Sequence, residues 1–218
     1  MKYPMEIKYE PNAKTFTLLN NKEATNYGFE IEARKSFAFT GLPLLKNITL
    51  YSNLTALKAS LIPMGLGMDF SDDKKSVVVQ EVLGDKQNRP QQGASNLIVN
   101  GGFYYDTKLF SFSMAYNYTS NRIQLTQTFT KDSRWEKPMT TLDGQLNFHL
   151  LRNKLDAKFN VSNLLNGSTI VYFNTPIATN KEKPEPSSKD LQYQKGEDEI
   201  LYRNTPGRSY GLSLNYRF

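Results

Sequence analysis

The sequence predicts an all-β chain of antiparallel strands forming part of a transmembrane barrel, about eight strands in this stretch. Three observations carry that expectation. Successive segments alternate apolar and polar residues with a period of two, which gives a strand one greasy and one polar face and would scatter both sets on a helix. Connections alternate between short turns and long polar loops, a sorting that a soluble sandwich has no reason to make. Aromatic residues gather at two heights along the strands, as they do at the two interfaces of a bilayer.

The totals fit. The chain has 218 residues, a net charge of +6, 12% aromatic residues and a mean hydropathy of −0.56, so many rings accompany a polar average. No run approaches the roughly 18 apolar residues that a membrane helix needs. An alternating strand passes the same test because only half its residues face lipid. Without cysteine, disulfides, thiolate zinc sites and thiol nucleophiles are excluded. Lys and Arg are scattered among acids in loops and on polar strand faces, which argues against a nucleic-acid partner. The segment from Met1 to Lys8 has no apolar core of signal-peptide length. Residues 1–218 are therefore expected to be the C-terminal part of something longer.

In order, Tyr3, Met5, Ile7 and Tyr9 alternate with Lys2, Glu6, Lys8 and Glu10 until Pro11-Asn12, and read as the upper part of a strand. From Thr15 to Phe39 no strong breaker intervenes, and Tyr27, Phe29, Ile31, Ala33, Phe37 and Phe39 oppose Gly28, Glu30, Glu32, Arg34 and Ser36. Unbroken, that strand would run about 80 Å at roughly 3.3 Å per residue. Thr40 to Lys46 makes a tight connection, and Asn47 to Leu61 returns with a weaker alternation. Pro63 to Gln92 reads as a large loop with a short strand at Val77-Val78-Val79. Asn96 to Tyr105 and Phe110 to Thr119, joined at Asp106-Thr107-Lys108, form the clearest hairpin. A loop from Asn121 to Pro138 leads to the Leu142–Leu150 strand, and Arg152-Asn153 turns it into Leu155–Val161. Asn174 to Glu199 is too polar to bury a core, and the last strand descends from it to Phe218.

Phe37, Phe39, Phe103, Tyr105, Phe110, Phe112, Phe148, Tyr216 and Phe218 sit beside the short turns or the C-terminus, and Tyr27, Tyr116, Tyr118 and Tyr210 lie higher on their strands. These are the expected membrane-interface aromatics. Opposite parity assigns Glu30, Glu32, Arg34, Asn117, Gln145, Asn147 and His149 to a wet lumen, since an Arg turned to lipid would cost about 2–4 kcal/mol at the midplane. His149 is the sole histidine, which leaves little from which to build a triad or a metal site. The acidic groups Asp72-Asp73 and Glu197-Asp198-Glu199 lack the spacing of a calcium loop, and Gly65-Leu66-Gly67 and Gly101-Gly102 lack that of a phosphate loop. No catalytic motif, metal site or cofactor is expected. Ligand-binding residues are not identified by any motif, although Trp135, Tyr172 and Tyr193 are placed to stack on a sugar or siderophore.

Several stretches carry a resemblance. Gly211, Leu214, Tyr216 and Phe218 resemble the C-terminal assembly signal of bacterial outer-membrane barrels, and the run from Pro206 to Phe218 looks like the last strand of TonB-dependent receptors. Asn21 to Glu30 is similar to the Asn…Ala…Gly-x-Glu pattern of their ascending strands, Val161 to Asn166 to their penultimate-strand motif, and Arg89 to Ser95 to a re-entry segment of Bacteroidetes-type members. The resemblance implies energy-coupled import of a siderophore, cobalamin or oligosaccharide across the outer membrane of a Gram-negative cell. It also implies outer-membrane lipid and the barrel-assembly machinery as partners, TonB through the missing N-terminal part, and a surface lipoprotein. The alternatives are a complete eight-stranded barrel with a structural or adhesive role and a soluble β-sandwich binding module. A sandwich would bring Phe103, Phe112, Leu146 and Leu214 together in a dry interior.

Overall fold

The computed structural model describes residues 1–10, 14–70, 77–82, 89–127, 133–152, 154–174 and 192–218. Asp72, Asp73 and most of the polar connection expected over 174–199 lie outside them. In chain order the strands are β1 (Met5–Glu10), β2 (Thr15–Asn20), β3 (Glu23–Ser36), β4 (Ile48–Ile62), β5 (Gly65–Phe70), β6 (Val77–Val82), β7 (Arg89–Pro90), β8 (Leu97–Asp106), β9 (Phe110–Thr119), β10 (Arg122–Leu125), β11 (Arg134–Glu136), β12 (Met139–Leu150), β13 (Leu155–Ser162), β14 (Thr169–Phe173), β15 (Glu199–Asn204) and β16 (Ser209–Tyr216).

The chain is all-β and antiparallel. A main sheet runs β3-β4-β8-β9-β12-β13-β16, and β7 pairs with the far end of β4. Its short connections all lie at one end. Ala38–Thr40 and Leu45–Asn47 are single 3₁₀ turns that link β3 to β4. At the β8–β9 turn the Phe110 amide donates to Thr107 Oγ1 at 3.0 Å, and the Thr107 amide donates to the Phe110 carbonyl at 2.9 Å. The opposite end carries the long connections and the remaining strands: the hairpins β1–β2 and β5–β6 and a four-stranded sheet β10-β11-β14-β15.

Three expectations need correction. The stretch from Thr15 to Phe39 is two strands, not one, because the chain bends at Asn21, which is fully buried with its Nδ2 donating to the Pro4 carbonyl and to Glu6. The opening segment is not a strand of the main sheet but pairs with β2 as a hairpin. The long loops contain ordered strands, with Val77 extending to Val82 against β5 and the Asn121–Pro138 loop supplying β10 and β11. Alternation registered the strands of the main sheet, but it passed over β10 and β11 and could not show that the opening segment pairs with β2.

Registers across the main sheet are staggered. The hydrogen-bonded row that starts at Ser36, the foot of β3, passes through Thr49, Tyr104, Ser113, Gln145 and Asn160 to Gly211. The row from Asp106 reaches Ser213, and the row from Leu150 reaches Tyr216. Each successive turn thus steps further along β16, which is the slope that tilted barrel strands require. The sheet is open: among the described residues, β3 and β16 do not pair with each other.

The core sits above this sheet. Ala24, Ala59, Leu61, Ile123, Leu125, Trp135, Ile170, Val171 and Tyr172 are the buried apolar residues, and all lie at the long-connection end. Phe103, Phe112 and Leu146 are only half-buried and Leu214 is exposed, so they do not form the dry interior that a sandwich would build.

Candidate functional site

The two faces of the main sheet are chemically distinct over all seven strands. Register places Phe29, Ile31, Leu54, Val99, Phe103, Met114, Tyr116, Leu142, Leu146, Phe159 and Leu212 on one face. Cross-strand rings meet along it, with Phe103–Phe112 at 5.6 Å, Tyr105–Phe110 at 5.7 Å, Phe110–Phe148 at 6.3 Å and Phe159–Tyr210 at 6.3 Å. Phe29 is 58% exposed and Leu212 is 72% exposed, so among the described residues no other layer covers these strands. Among the described residues the only carboxylate or basic side chains of this face are Glu23, Lys35 and Lys58, all near the ends of the β3–β4 hairpin.

The opposite face carries Glu30, Glu32, Arg34, Asp106, Asp143, His149, Asp156 and Lys158. One row runs Glu32, Asn53, Asn100, Asn117, Thr141, and Asn117 Nδ2 donates to Thr141 Oγ1 at 3.3 Å. Asn53 Nδ2 donates to Glu30. The next row is Arg34, Tyr51, Gly102, Ala115 and Asp143. Here the Tyr51 ring lies on Gly102, where an added Cβ would come within 2.6 Å of the Tyr51 hydroxyl and 2.1 Å of the Met114 carbonyl oxygen. Tyr51 stacks on Tyr104 at 5.2 Å, and the Arg34 guanidinium sits 5.9 Å from the Tyr104 ring centre. Beside them Ser113, Asp143, Gln145, Asn160 and Ser162 line an open depression of about 320 Å³. This is a wall of hydroxyls, carboxamides and one carboxylate, able to hydrogen-bond a polar solute.

At the short-turn end, His149 Nδ1 lies 2.7 Å from Asp156 Oδ1, and Asp156 Oδ2 accepts from Arg217 at 3.3 Å. One carboxylate therefore ties β12, β13 and the tail after β16. The Arg217 amide also donates to the Lys154 carbonyl at 2.7 Å. His149 and Asp156 are cross-strand partners, a pairing that follows once Leu150 is placed opposite Leu155.

At the long-connection end the Arg89–Ser95 segment is a hub. Arg89 and Glu6 form an ion pair at 2.5 Å with both side chains 3% exposed. The Gln92 amide donates to Glu6 Oε1 at 2.7 Å, Arg89 donates to the Pro90 carbonyl at 3.0 Å, and the Gly93 amide donates to the Ile123 carbonyl at 2.8 Å. Gln92 Oε1 accepts from the Ile7 amide at 3.0 Å while its Nε2 donates to the Gln124 carbonyl at 2.9 Å. These bonds join β1, the Asn21 bend, β7 and β10. Ile123, Trp135 and Tyr172 pack as a dry cluster with Tyr193 against it, at 5.2 Å from Tyr172. Burial first, and then the nearby charge of Asp198, pushes the Tyr172 phenol above its ordinary value of 10.0. Trp135 and Tyr172 are core residues, which corrects the expectation that they offer rings to a ligand: an upper sheet has to bury something, and these are its largest side chains.

The expected interface aromatics fall on the apolar face or at its ends. Tyr27, Phe39, Tyr116, Phe148, Tyr210, Tyr216 and Phe218 are exposed, and Phe37, Phe103, Tyr105, Phe110, Phe112 and Tyr118 are half-buried by neighbouring side chains. Glu30, Glu32, Arg34, Asn117, Gln145, Asn147 and His149 share the polar face. Gly211, Leu214, Tyr216 and Phe218 lie on or just past the open edge strand β16, and the Phe218 ring meets Tyr216 edge-on at 5.2 Å. Sequence reading missed the Glu6–Arg89 pair and the two lysines of the apolar face. The lysines were legible as charges in the parity of Ile31 and Leu54, whereas nothing in the sequence joined Glu6 to Arg89. Among the described residues no group of His, Asp and Glu is placed to hold a metal ion. Comparisons with protein-family models, with curated proteins and with solved structures return no match to this chain.

Proposed function

We propose that this chain is the C-terminal wall of a TonB-dependent outer-membrane receptor, acting in nutrient import and not in catalysis. One observation carries the reading: a seven-strand antiparallel sheet with one apolar face that nothing among the described residues covers and whose charges stand only near its ends. Water is a poor medium for such a face, since each exposed Leu or Phe forgoes about 1.5–3 kcal/mol of burial. Hydrocarbon removes that cost, and then the polar face becomes the lumen. The staggered register and the sorting of turns support the same reading. The sandwich alternative would need a second layer over the apolar face, and the smaller sheets lie beyond its end instead.

On this reading the short turns face the periplasm and the upper sheet faces outward. The open edges of β3 and β16 pair with further strands of the receptor, because hydrocarbon does not tolerate unpaired backbone. Gly211, Leu214, Tyr216 and Phe218 present the last strand to the barrel-assembly machinery. Coupling to TonB belongs to a further part of the receptor, and a surface lipoprotein would meet the outward layer. A siderophore, cobalamin or oligosaccharide would travel along the polar face without any cofactor.

Fractionation tests the reading. The chain is expected in the outer-membrane fraction and to stay monodisperse only in detergent or lipid. A monodisperse, folded chain in plain buffer would overturn it.

A further inference from the structure

Within that membrane reading, two places on the apolar face set a lysine against an aromatic ring. Lys58 Nζ lies 5.8 Å from the ring centre of Tyr27, its cross-strand partner, and Lys35 Nζ lies 4.8 Å from the ring centre of Phe39. Both rings are exposed, Tyr27 by 58% and Phe39 by 71%. These are the only basic side chains of the face among the described residues of the seven strands.

Their spacing suits two interfaces. From Tyr27 to Lys35 along β3 is about 26 Å at roughly 3.3 Å per residue, which a barrel tilt of about 35–45° reduces to about 20 Å of height, and lysine stems reaching outward span the remainder of an apolar band about 25 Å tall. Between the two levels β3 shows lipid only Phe29, Ile31 and Ala33, and β4 shows Leu50, Ser52, Leu54 and Ala56. A lysine at the midplane would cost about 2–4 kcal/mol, falling to about 0–1 near an interface. The ammonium groups therefore belong at the two headgroup levels, with their stems laid along the ring faces.

We propose that Lys58–Tyr27 and Lys35–Phe39 are two lipid-headgroup sites, one in each leaflet, each binding the phosphate of an anionic lipid by its ammonium while the aromatic ring fills the acyl boundary beneath. The sites clamp the β3–β4 hairpin at both levels. The occupant is membrane lipid and not a soluble phosphate, because each ammonium stands on an open face beside an exposed ring, with apolar side chains between the two levels, and not in an enclosed pocket.

The chain as part of the whole receptor, reconstituted into phosphatidylcholine vesicles with a minor share of phosphatidylglycerol so that β3 and β16 are paired, tests this. Spin-labelled forms of the two lipids report which one the protein retains. Wild type is expected to prefer phosphatidylglycerol, and Lys58→Gln or Lys35→Gln to lower that preference by up to about fivefold each, equivalent to about 1 kcal/mol per basic side chain at an anionic surface. Lys58→Arg should retain it, and Lys158→Gln on the polar face should leave it unchanged. An undiminished preference in the K35Q/K58Q double variant, with the chain still protease-protected in the vesicles, overturns the sites and leaves the membrane reading standing. An equal loss from Lys158→Gln also overturns them, since net charge alone would then explain the preference. A wild-type receptor in which this chain stays outside the bilayer removes both.

Discussion

Trp135 and Tyr172 are 1% and 0% exposed, while Leu212 and Leu214 of β16 are 72% and 65% exposed, although both pairs stand in antiparallel strands. The upper layer closes on itself. Its sheet β10-β11-β14-β15 packs rings together and locks a buried ion pair beneath, so it carries its own dry core. The main sheet is longer and richer in apolar residues, yet buries few of them. What separates the two is not hydrophobicity but the availability of a covering surface within the chain. A β-layer that leaves its greasy face open over seven strands has that face matched to some other medium, and on our reading the medium is lipid.

The comparison can be broken most sharply at the hub. Arg89→Ala leaves Glu6 buried and unpaired, and should cost the upper layer about 3–5 kcal/mol, read as a fall in urea midpoint followed by the emission of Trp135, the only tryptophan. A loss of under about 1 kcal/mol would put this pair with solvent-exposed ones and deny the upper layer a core of its own.

The two faces of the main sheet come next. Leu54→Arg, on the apolar face, should destabilise the lipid-inserted chain by about 2–4 kcal/mol, whereas Asn53→Arg, one residue away on the polar face, should cost little. Equal effects in a vesicle-refolding titration would mean that neither face meets hydrocarbon.

Alkaline pH sharpens the contrast from the other side. The Tyr172 phenol is raised by burial and by Asp198, so its contribution is fully present below its ordinary value of 10.0 and is lost as pH rises past it, because the unfolded chain ionises first. Trp135 emission during heating should show the upper layer weakening above pH 10.0, and Tyr172→Phe should flatten that slope. The smallest effect is expected at Arg122–Glu136, paired at 3.0 Å with the Arg side chain 39% exposed. Arg122→Gln should cost at most about 1 kcal/mol in the same urea titration.

Much of the main sheet was legible because a period of two is a local property. Phe110 to Tyr118 and Leu142 to Leu150 needed only their own alternation to declare strand and face, and the sorting of turns gave their order. The weak alternation of Asn47 to Leu61 has a structural cause: Ala59 and Leu61 lie on the polar side but are buried, while Lys58 and Ser60 stand on the other side, so the chemistry of the two faces reverses at that end of β4. Trp135 and Tyr172 were misjudged because a ring in a polar loop looks the same in sequence whether it waits for a ligand or fills a core.

By itself, the sequence determined an all-β antiparallel chain, the order of the main-sheet strands and the chemical identity of their faces, since side-chain direction alternates with every residue of an extended backbone. Only the tertiary structure decided the bend at Asn21, the Glu6–Arg89 pair and which apolar residues become a dry core. Those depend on segments far apart in the chain meeting in space, Glu6 with Arg89 and Ile123 with Tyr172, and no local pattern encodes such a meeting.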